Sequence, residues 1–164
     1  MTTRTFAPIF GIVFLVVGIA GFIPGLVTYP GPGADVAPGA PDASVAAEVL
    51  HTHGYLLGLF PVNALHNLFH LVWGVFGVAA YRGLANARIF ARATAIVYGL
   101  LTVLGLIPGL NTLFGLLPLY GHDVWLHAVL ALIAAYFGFA RPAEGEVVTA
   151  TDRTAAPVGS SRGR

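Results

Sequence analysis

The sequence predicts an all-α integral membrane protein: a four-transmembrane-helix bundle made of two tandem parallel helix-pair repeats. Composition is the first reason, because the 164-residue chain is 57% hydrophobic and only 9% charged, with a mean hydropathy of +0.81. Soluble domains are about 25% charged. The second reason is that four apolar runs have roughly the 20 residues that a helix needs to cross the hydrocarbon core of a bilayer. The third is that two sequence patterns each occur twice along the chain.

The four apolar runs define the expected helices, and the Arg residues define their orientation. The runs cover about 6–27, 62–81, 89–110 and 119–140, within a transmembrane domain of residues 1–141. All eight basic residues precede the first run, cluster near the junction of the second and third runs, or follow the fourth. By the positive-inside rule, both termini are expected in the cytoplasm. An outer-loop insertion is expected at about 28–58 and a disordered cytoplasmic tail at 142–164.

Residue usage indicates where the protein resides and excludes some chemistry. The chain has no Cys, which excludes disulfides, thiol redox chemistry and Cys-ligated metals. Every basic residue is Arg, and Ala, Gly, Val and Pro are abundant, a codon bias typical of GC-rich bacterial genomes. We therefore expect a multi-pass protein of the bacterial cytoplasmic (inner) membrane. The lipid bilayer is its expected partner, and no nucleic-acid partner is expected.

Two repeated patterns indicate an internal duplication. The segment GFIPGL that begins at Gly21 recurs as GLIPGL at Gly105, 84 positions later. The segment GLFPVNALHNLFH that begins at Gly58 aligns with GLLPLYGHDVWLH at Gly115, 57 positions later. Both helix pairs enter the membrane from the same side, so the repeats are predicted to be parallel and related by a pseudo-twofold axis along the membrane normal.

The first and third helices each carry a stripe of small residues with one aromatic ring. Gly11, Phe14 and Gly18 define the stripe in the first helix, and Tyr98 is the counterpart of Phe14 in the third. Small residues at this spacing let helix backbones approach closely in lipid. The stripes are therefore predicted to pack helices together, and they also allow a homo-oligomer.

Polar side chains recur on one face of the second and fourth helices. The predicted polar cluster consists of Asn63, His66, Asn67, His70, Asp123 and His127. Counted from Pro61 at 1.5 Å per residue, His66 lies about 7 Å and His70 about 13 Å into the second helix, in the outer half of the bilayer. Polar faces of transmembrane helices turn away from lipid. The two faces are expected to point inward, with His70 opposite His127 at equal depth and His66 opposite Asp123.

The cluster has three interpretations. The favoured one is structural and non-enzymatic, with hydrogen bonds that join the helices. The second is a ligand site, in which His66, His70, Asp123 and His127 bind Zn, Fe, Mn or Cu, or His70 and His127 are the axial ligands of a b-type haem. The third is a small-solute or proton transporter, which the apolar cytoplasmic half of both faces disfavours. Enzyme activity is less favoured because the polar face has no Ser nucleophile and a single carboxylate.

The outer loop is expected to lie on the membrane surface. Ser44 could cap a short amphipathic helix in the segment SVAAEVLHTHGYLLGLF. His51 and His53 within it are expected to face solvent, and His122 is expected to be a loop residue beside Asp123.

Three segments also carry a family resemblance. FAPIFGIVFLVVGIAGFIPG, LFPVNALHNLFHLVWG and GLLPLYGHDVWLHAVLA resemble the bacterial membrane family catalogued as domain of unknown function 4383, over roughly residues 4–141. The sequence departs from the family at His122, where Asn or another polar residue is usual. The resemblance implies a four-helix integral protein of the bacterial cytoplasmic membrane, and it implies no activity.

Overall fold

Four helices make up most of the computed structural model, which describes residues 1–29 and 53–141. The helices are α1 (Thr3–Ala20), α2 (Ala64–Ala79), α3 (Leu84–Leu106) and α4 (His122–Ala135). A 3₁₀ turn at Ala80–Arg82 extends α2, and a π-helical segment at Tyr136–Ala140 extends α4. With these extensions all four are long and apolar enough to cross a membrane, as the sequence predicts.

The helix ends differ from the predicted bounds where the local chain cannot stay helical. The first apolar run continues to Val27, but α1 ends at Ala20 and the chain turns into a 3₁₀ segment at Pro24–Leu26. Pro24 disfavours a helical conformation at the preceding Ile23, which is extended, and α1 ends before it. Gly121, with φ of 66°, precedes α4, which therefore begins at His122 and not near residue 119.

A small antiparallel sheet joins the end of α1 to the start of α2. Its strands are β1 (Val27–Thr28), β2 (Gly54–Leu56) and β3 (Phe60–Val62), in that spatial order. Val27 pairs with Leu56, and Leu56 pairs with Phe60. This end of the molecule is the sheet end, and the opposite end, with residues 1 and 141, is the terminus end.

Strands occupy the end of the segment in which the sequence predicts a short amphipathic helix. Residues 54–56 and 60–62 are strands because aromatic and β-branched side chains favour extended backbone. Ser44, His51 and the rest of that segment up to residue 52 lie outside the described residues, as does the predicted tail at 142–164.

Glycines let α1 lie close along α2. A Cβ atom on Gly11 would be 2.5 Å from the backbone nitrogen of Val78 and 2.8 Å from the carbonyl oxygen of Gly74. Gly77 contacts the same stretch of α1. Such close approach increases dispersion contact between helices, which is the main attraction available in lipid. The predicted small-residue stripe of the first helix is thus used inside the molecule.

The two helix pairs, α1–α2 and α3–α4, meet through aromatic rings. Phe6 stacks on Phe137 with centroids 4.7 Å apart, and Phe14 stacks on Tyr98 at 5.3 Å. Phe90 lies 6.4 Å from Phe6. These rings form the core between α1, α3 and the end of α4.

Polar contacts close the terminus end. The Thr3 hydroxyl donates to the Phe137 carbonyl oxygen at 3.2 Å, and Arg92 Nε donates to the Gly138 carbonyl oxygen at 2.9 Å. Arg88 donates to the carbonyl oxygen of Arg141, and the Arg141 guanidinium donates to that of Met1. Two carbonyl groups of the π-helical segment of α4 therefore accept hydrogen bonds from α1 and α3.

Candidate metal centre

The start of α2 fixes the direction of its histidines. Asn63 is the N-cap, and its Oδ1 accepts a hydrogen bond from the His66 backbone N–H at 2.7 Å. An N-cap side chain satisfies one of the donors that the first helical turn leaves free. From this start the helix buries His66, Asn67 and His70 on one face. The inward polar face thus begins at the sheet end of the molecule.

The start of α4 brings a carboxylate and an imidazole together. Asp123 lies in the first helical turn, where the helix dipole stabilises negative charge. His127 follows one turn later, with its Nε2 3.4 Å from Asp123 Oδ2. That distance is longer than a normal N–H···O hydrogen bond. The two groups are neighbours that do not satisfy each other fully.

His66 of α2 approaches this pair from across the molecule. One ligand atom from each of His66, Asp123 and His127 lies within 4.8 Å of the other two. The three residues are 3%, 3% and 1% exposed, so bulk solvent does not reach their side chains. His66 Nδ1, Asp123 Oδ2 and His127 Nδ1 have no hydrogen-bond partner. Buried polar atoms are nearly always partnered, so this cluster requires a further explanation.

Three of the four predicted metal ligands converge, and His70 is outside this converging group. Its ring stacks on that of His66, with centroids 4.6 Å apart, and its Nδ1 is 3.1 Å from the His66 carbonyl oxygen. Phe14 packs on the His70 ring at 5.8 Å. The structure therefore pairs His127 with His66, one turn closer to the sheet end than the predicted partner His70.

The two asparagines of the predicted cluster join segments of the chain. Asn67 Nδ2 donates to the Gly21 carbonyl oxygen at 2.7 Å and ties α2 to the end of α1. Asn63 Nδ2 donates to the Leu116 carbonyl oxygen at 2.7 Å and ties α2 to the segment before α4. These amides make the interhelical hydrogen bonds that the structural interpretation expects.

His53 contradicts its expected exposure. It is 1% exposed, because β2 places it against the start of α2, where its Nε2 lies 3.0 Å from Asn63 Nδ2. An amide nitrogen only donates, so His53 Nε2 accepts as an unprotonated nitrogen. His122 is exposed, at the first position of α4.

Two tyrosines also line this region. Tyr98 of α3 is fully buried, its ring meets the His127 ring edge to face at 5.0 Å, and its hydroxyl has no hydrogen-bond partner. The repeat pattern marks Tyr98 as the counterpart of Phe14 but gives no sign of a role beside His127. Near the sheet end, burial raises the pKa of Tyr120, and a hydrogen bond with Tyr55 raises it further. The Tyr120 hydroxyl therefore stays protonated at neutral pH.

Comparison with known proteins identifies a family and no characterised relative. The model of a family described as "Domain of unknown function (DUF4383)" matches residues 4–140. This match confirms the resemblance carried by the three segments. No curated protein and no solved structure matches the chain.

Proposed function

The chain belongs to the DUF4383 family, and we propose that it is a multi-pass membrane protein that binds a divalent transition-metal ion between α2 and α4. One observation carries the proposal: the buried ligand atoms of His66, Asp123 and His127 converge within 4.8 Å. Tetrahedral ligands about 2 Å from an ion lie about 3.3 Å from one another. The 3.4 Å between His127 and Asp123 already meets this requirement.

Hydrogen bonding distinguishes the ligand interpretation from the structural one. Asn63 and Asn67 donate to backbone carbonyl groups and so tie α2 to neighbouring segments of the chain. His66 Nδ1 and Asp123 Oδ2 instead lie buried without a hydrogen-bond partner, and His127 Nε2 is 3.4 Å from that same carboxylate oxygen. A buried unsatisfied group costs about 1–3 kcal/mol. We assign a structural role to the two asparagines and metal binding to the three converging residues. The polar cluster as a whole therefore has both roles.

The surroundings of His66 also suit a metal ligand. Its ring lies close to the backbone of Pro61, and its Nδ1 has no hydrogen-bond partner. A metal-bound imidazole usually donates its other N–H to a carbonyl or carboxylate group, which fixes the ring. Two imidazoles and one carboxylate suit Zn²⁺, Fe²⁺ and Mn²⁺.

The haem alternative receives less support from the same geometry. His70 contacts Phe14, Phe14 stacks on Tyr98, and Tyr98 contacts His127. A porphyrin bound by His70 and His127 together would have to displace this chain of rings. A single ion between α2 and α4 would not.

Equivalent contacts support the proposed duplication. The two offsets place Phe14 on Tyr98 and His70 on His127. Phe14 contacts His70 at 5.8 Å in the first half, and Tyr98 contacts His127 at 5.0 Å in the second. Phe14 and Tyr98 stack on each other, as residues close to a twofold axis do. We infer two tandem parallel helix pairs in one bundle.

The Arg positions support the proposed orientation. Arg4 lies over the Tyr81 ring, and Arg88 and Arg92 contact the end of α4, all at the terminus end. With that end in the cytoplasm, the metal site lies in the outer half of the bilayer. Self-association stays a prediction, and Gly99 of α3, which faces open space, is a small residue available for it.

The experiment is a metal measurement on protein purified in mild detergent. We expect stoichiometric metal, or stoichiometric uptake of added Zn²⁺ or Co²⁺. His127→Ala and Asp123→Asn should weaken binding by more than the about 100-fold that loss of a second-shell partner causes. His122→Ala is the matched control, because it removes an exposed imidazole five positions before His127. This variant should bind metal like the parent protein.

Three results would contradict the proposal. One is parent protein that is isolated without metal and takes up neither Zn²⁺ nor Co²⁺. Another is an equal loss of binding in His122→Ala. The third is a Soret band in the visible spectrum that disappears in both His70→Ala and His127→Ala, which would establish the haem alternative.

A further inference from the structure

We propose that the metal ion in this site keeps one coordination position for an exogenous small anion, natively hydroxide, and that the Tyr98 hydroxyl positions that anion. The inference rests on the proposed metal site and adds a ligand class and a positioning residue to it. It follows from the number of protein ligands, the charge they supply and the surroundings of Tyr98.

The number of protein ligands leaves the coordination incomplete. Within residues 1–29 and 53–141, the converging group contains only His66, Asp123 and His127. Zinc sites with three protein ligands carry water or substrate in the fourth position, whereas structural zinc sites have four protein ligands. Two histidines and one carboxylate with open positions are also the ligand set of non-haem Fe²⁺ sites. A three-ligand site is therefore open to a fourth, external ligand.

Charge indicates that the external ligand is an anion. Asp123 is the only acidic residue in the part of the chain that the structure describes. A divalent ion bound to one carboxylate and two neutral imidazoles keeps a net charge of about +1, and an uncompensated buried charge is strongly unfavourable. An anionic fourth ligand removes it. Metal binding also lowers the pKa of a bound water to about 7, so hydroxide is accessible at neutral pH.

Tyr98 supplies a donor beside that position. Its ring is held by Phe14 on one side and by the edge contact with His127 on the other. The edge contact, with ring centroids 5.0 Å apart, places Tyr98 against one of the three converging residues. The hydroxyl is buried and has no partner, although a buried tyrosine normally finds one. A metal-bound anion would accept its hydrogen bond.

Burial limits the size of the anion. His66, His127 and Tyr98 are between 0% and 3% exposed, and aromatic rings pack on each of them. The site therefore suits a small anion such as hydroxide or azide.

The test uses azide on the full chain loaded with Co²⁺, whose visible d–d bands report coordination. We expect azide to change these bands with saturable binding, whether it is added after Co²⁺ or present during loading. Tyr98→Phe keeps the ring and should keep the metal stoichiometry, but it should weaken azide binding about tenfold or more, the effect of one hydrogen bond to a charged group. Tyr136→Phe, at an exposed tyrosine, is the matched control and should match the parent.

Each contrary result has a distinct meaning. Co²⁺ spectra that azide does not alter under either order of addition would overturn the open position. Azide affinity equal in the parent and in Tyr98→Phe would overturn the role of Tyr98. Failure of the parent to bind Co²⁺ or Zn²⁺ at all would instead refute the metal site on which both depend.

Discussion

Asn63 joins three segments with a single side chain. Its Oδ1 caps α2 at the His66 N–H, and its Nδ2 lies within hydrogen-bonding distance of the Leu116 carbonyl oxygen and of His53 Nε2. The capping bond explains why α2 begins where it does. The two donor contacts hold β2 and the segment before α4 against that helix end, directly above His66.

Substitution of Asn63 should separate these two roles. Asn63→Ala removes the cap, worth about 1 kcal/mol, and both donor contacts, and we expect a loss of about 2 kcal/mol or more in the free energy of unfolding. Asn63→Asp keeps an acceptor for the His66 N–H and should lose about half as much. Thermal unfolding in detergent, followed by circular dichroism, measures both. Unfolding temperatures equal to that of the parent would show that these contacts do not stabilise the fold.

At the residue scale, the sequence predicted contacts along one helix better than contacts between helices. Asp123 and His127 are four positions apart, which places them on one helix face without tertiary information. The choice of His66 over His70 depends on how far α2 is displaced along α4, and tertiary packing sets that displacement. His53 could not be placed, because its burial depends on a strand pairing that three-residue strands do not reveal in sequence.

At the element scale, close packing of α1 on α2 depends on glycine. Gly11→Ala would place a methyl group 2.5 Å from the Val78 backbone nitrogen, a contact that only a backbone shift relieves. Such overpacking costs about 1–3 kcal/mol. The matched control is Gly99→Ala on α3, where a Cβ atom meets nothing within 4 Å. This control should be neutral or slightly stabilising, because alanine favours helix over glycine by roughly 0.5–1 kcal/mol.

Denaturation of the two glycine variants in the same detergent tests this expectation. A Gly11→Ala variant as stable as Gly99→Ala would mean that the two helices separate without cost. The close approach would then make no contribution to stability.

The helices were predictable as elements, and their ends were less so. Apolar length identified four spans because lipid requires about 20 apolar residues for each of them. Hydropathy cannot detect a turn of the chain within an apolar stretch. The first predicted span therefore extended to Val27, although α1 ends at Ala20. The sheet was missed because strands of two or three residues are too short to show a period of two.

At the scale of the whole molecule, the orientation can be tested with single cysteines, because the chain has none of its own. Leu116→Cys at the sheet end and Ala85→Cys at the terminus end are both at exposed positions. We expect a membrane-impermeant maleimide to label Leu116→Cys in intact spheroplasts and Ala85→Cys only after lysis. The opposite pattern would place the sheet end and the metal site on the cytoplasmic side.

The proposed duplication is visible in sequence only where the two matched segments keep the same chemistry. Gly21 contacts Asn67, and Gly105, which the proposed alignment matches to Gly21, contacts Val124, which it matches to Asn67. The contact is repeated although one partner is polar and the other apolar, so letter matching alone does not find it. The proposed metal ligands are more asymmetric still, since α4 supplies two of them and α2 one.

The hydrogen bond between Arg141 and the Met1 carbonyl group places the first residue beside the end of the fourth span. A linker of a few residues would therefore be enough to join residue 141 to residue 1. A circular permutant made in this way and opened between α2 and α3 would keep every helix in place while reversing the order of the two helix pairs.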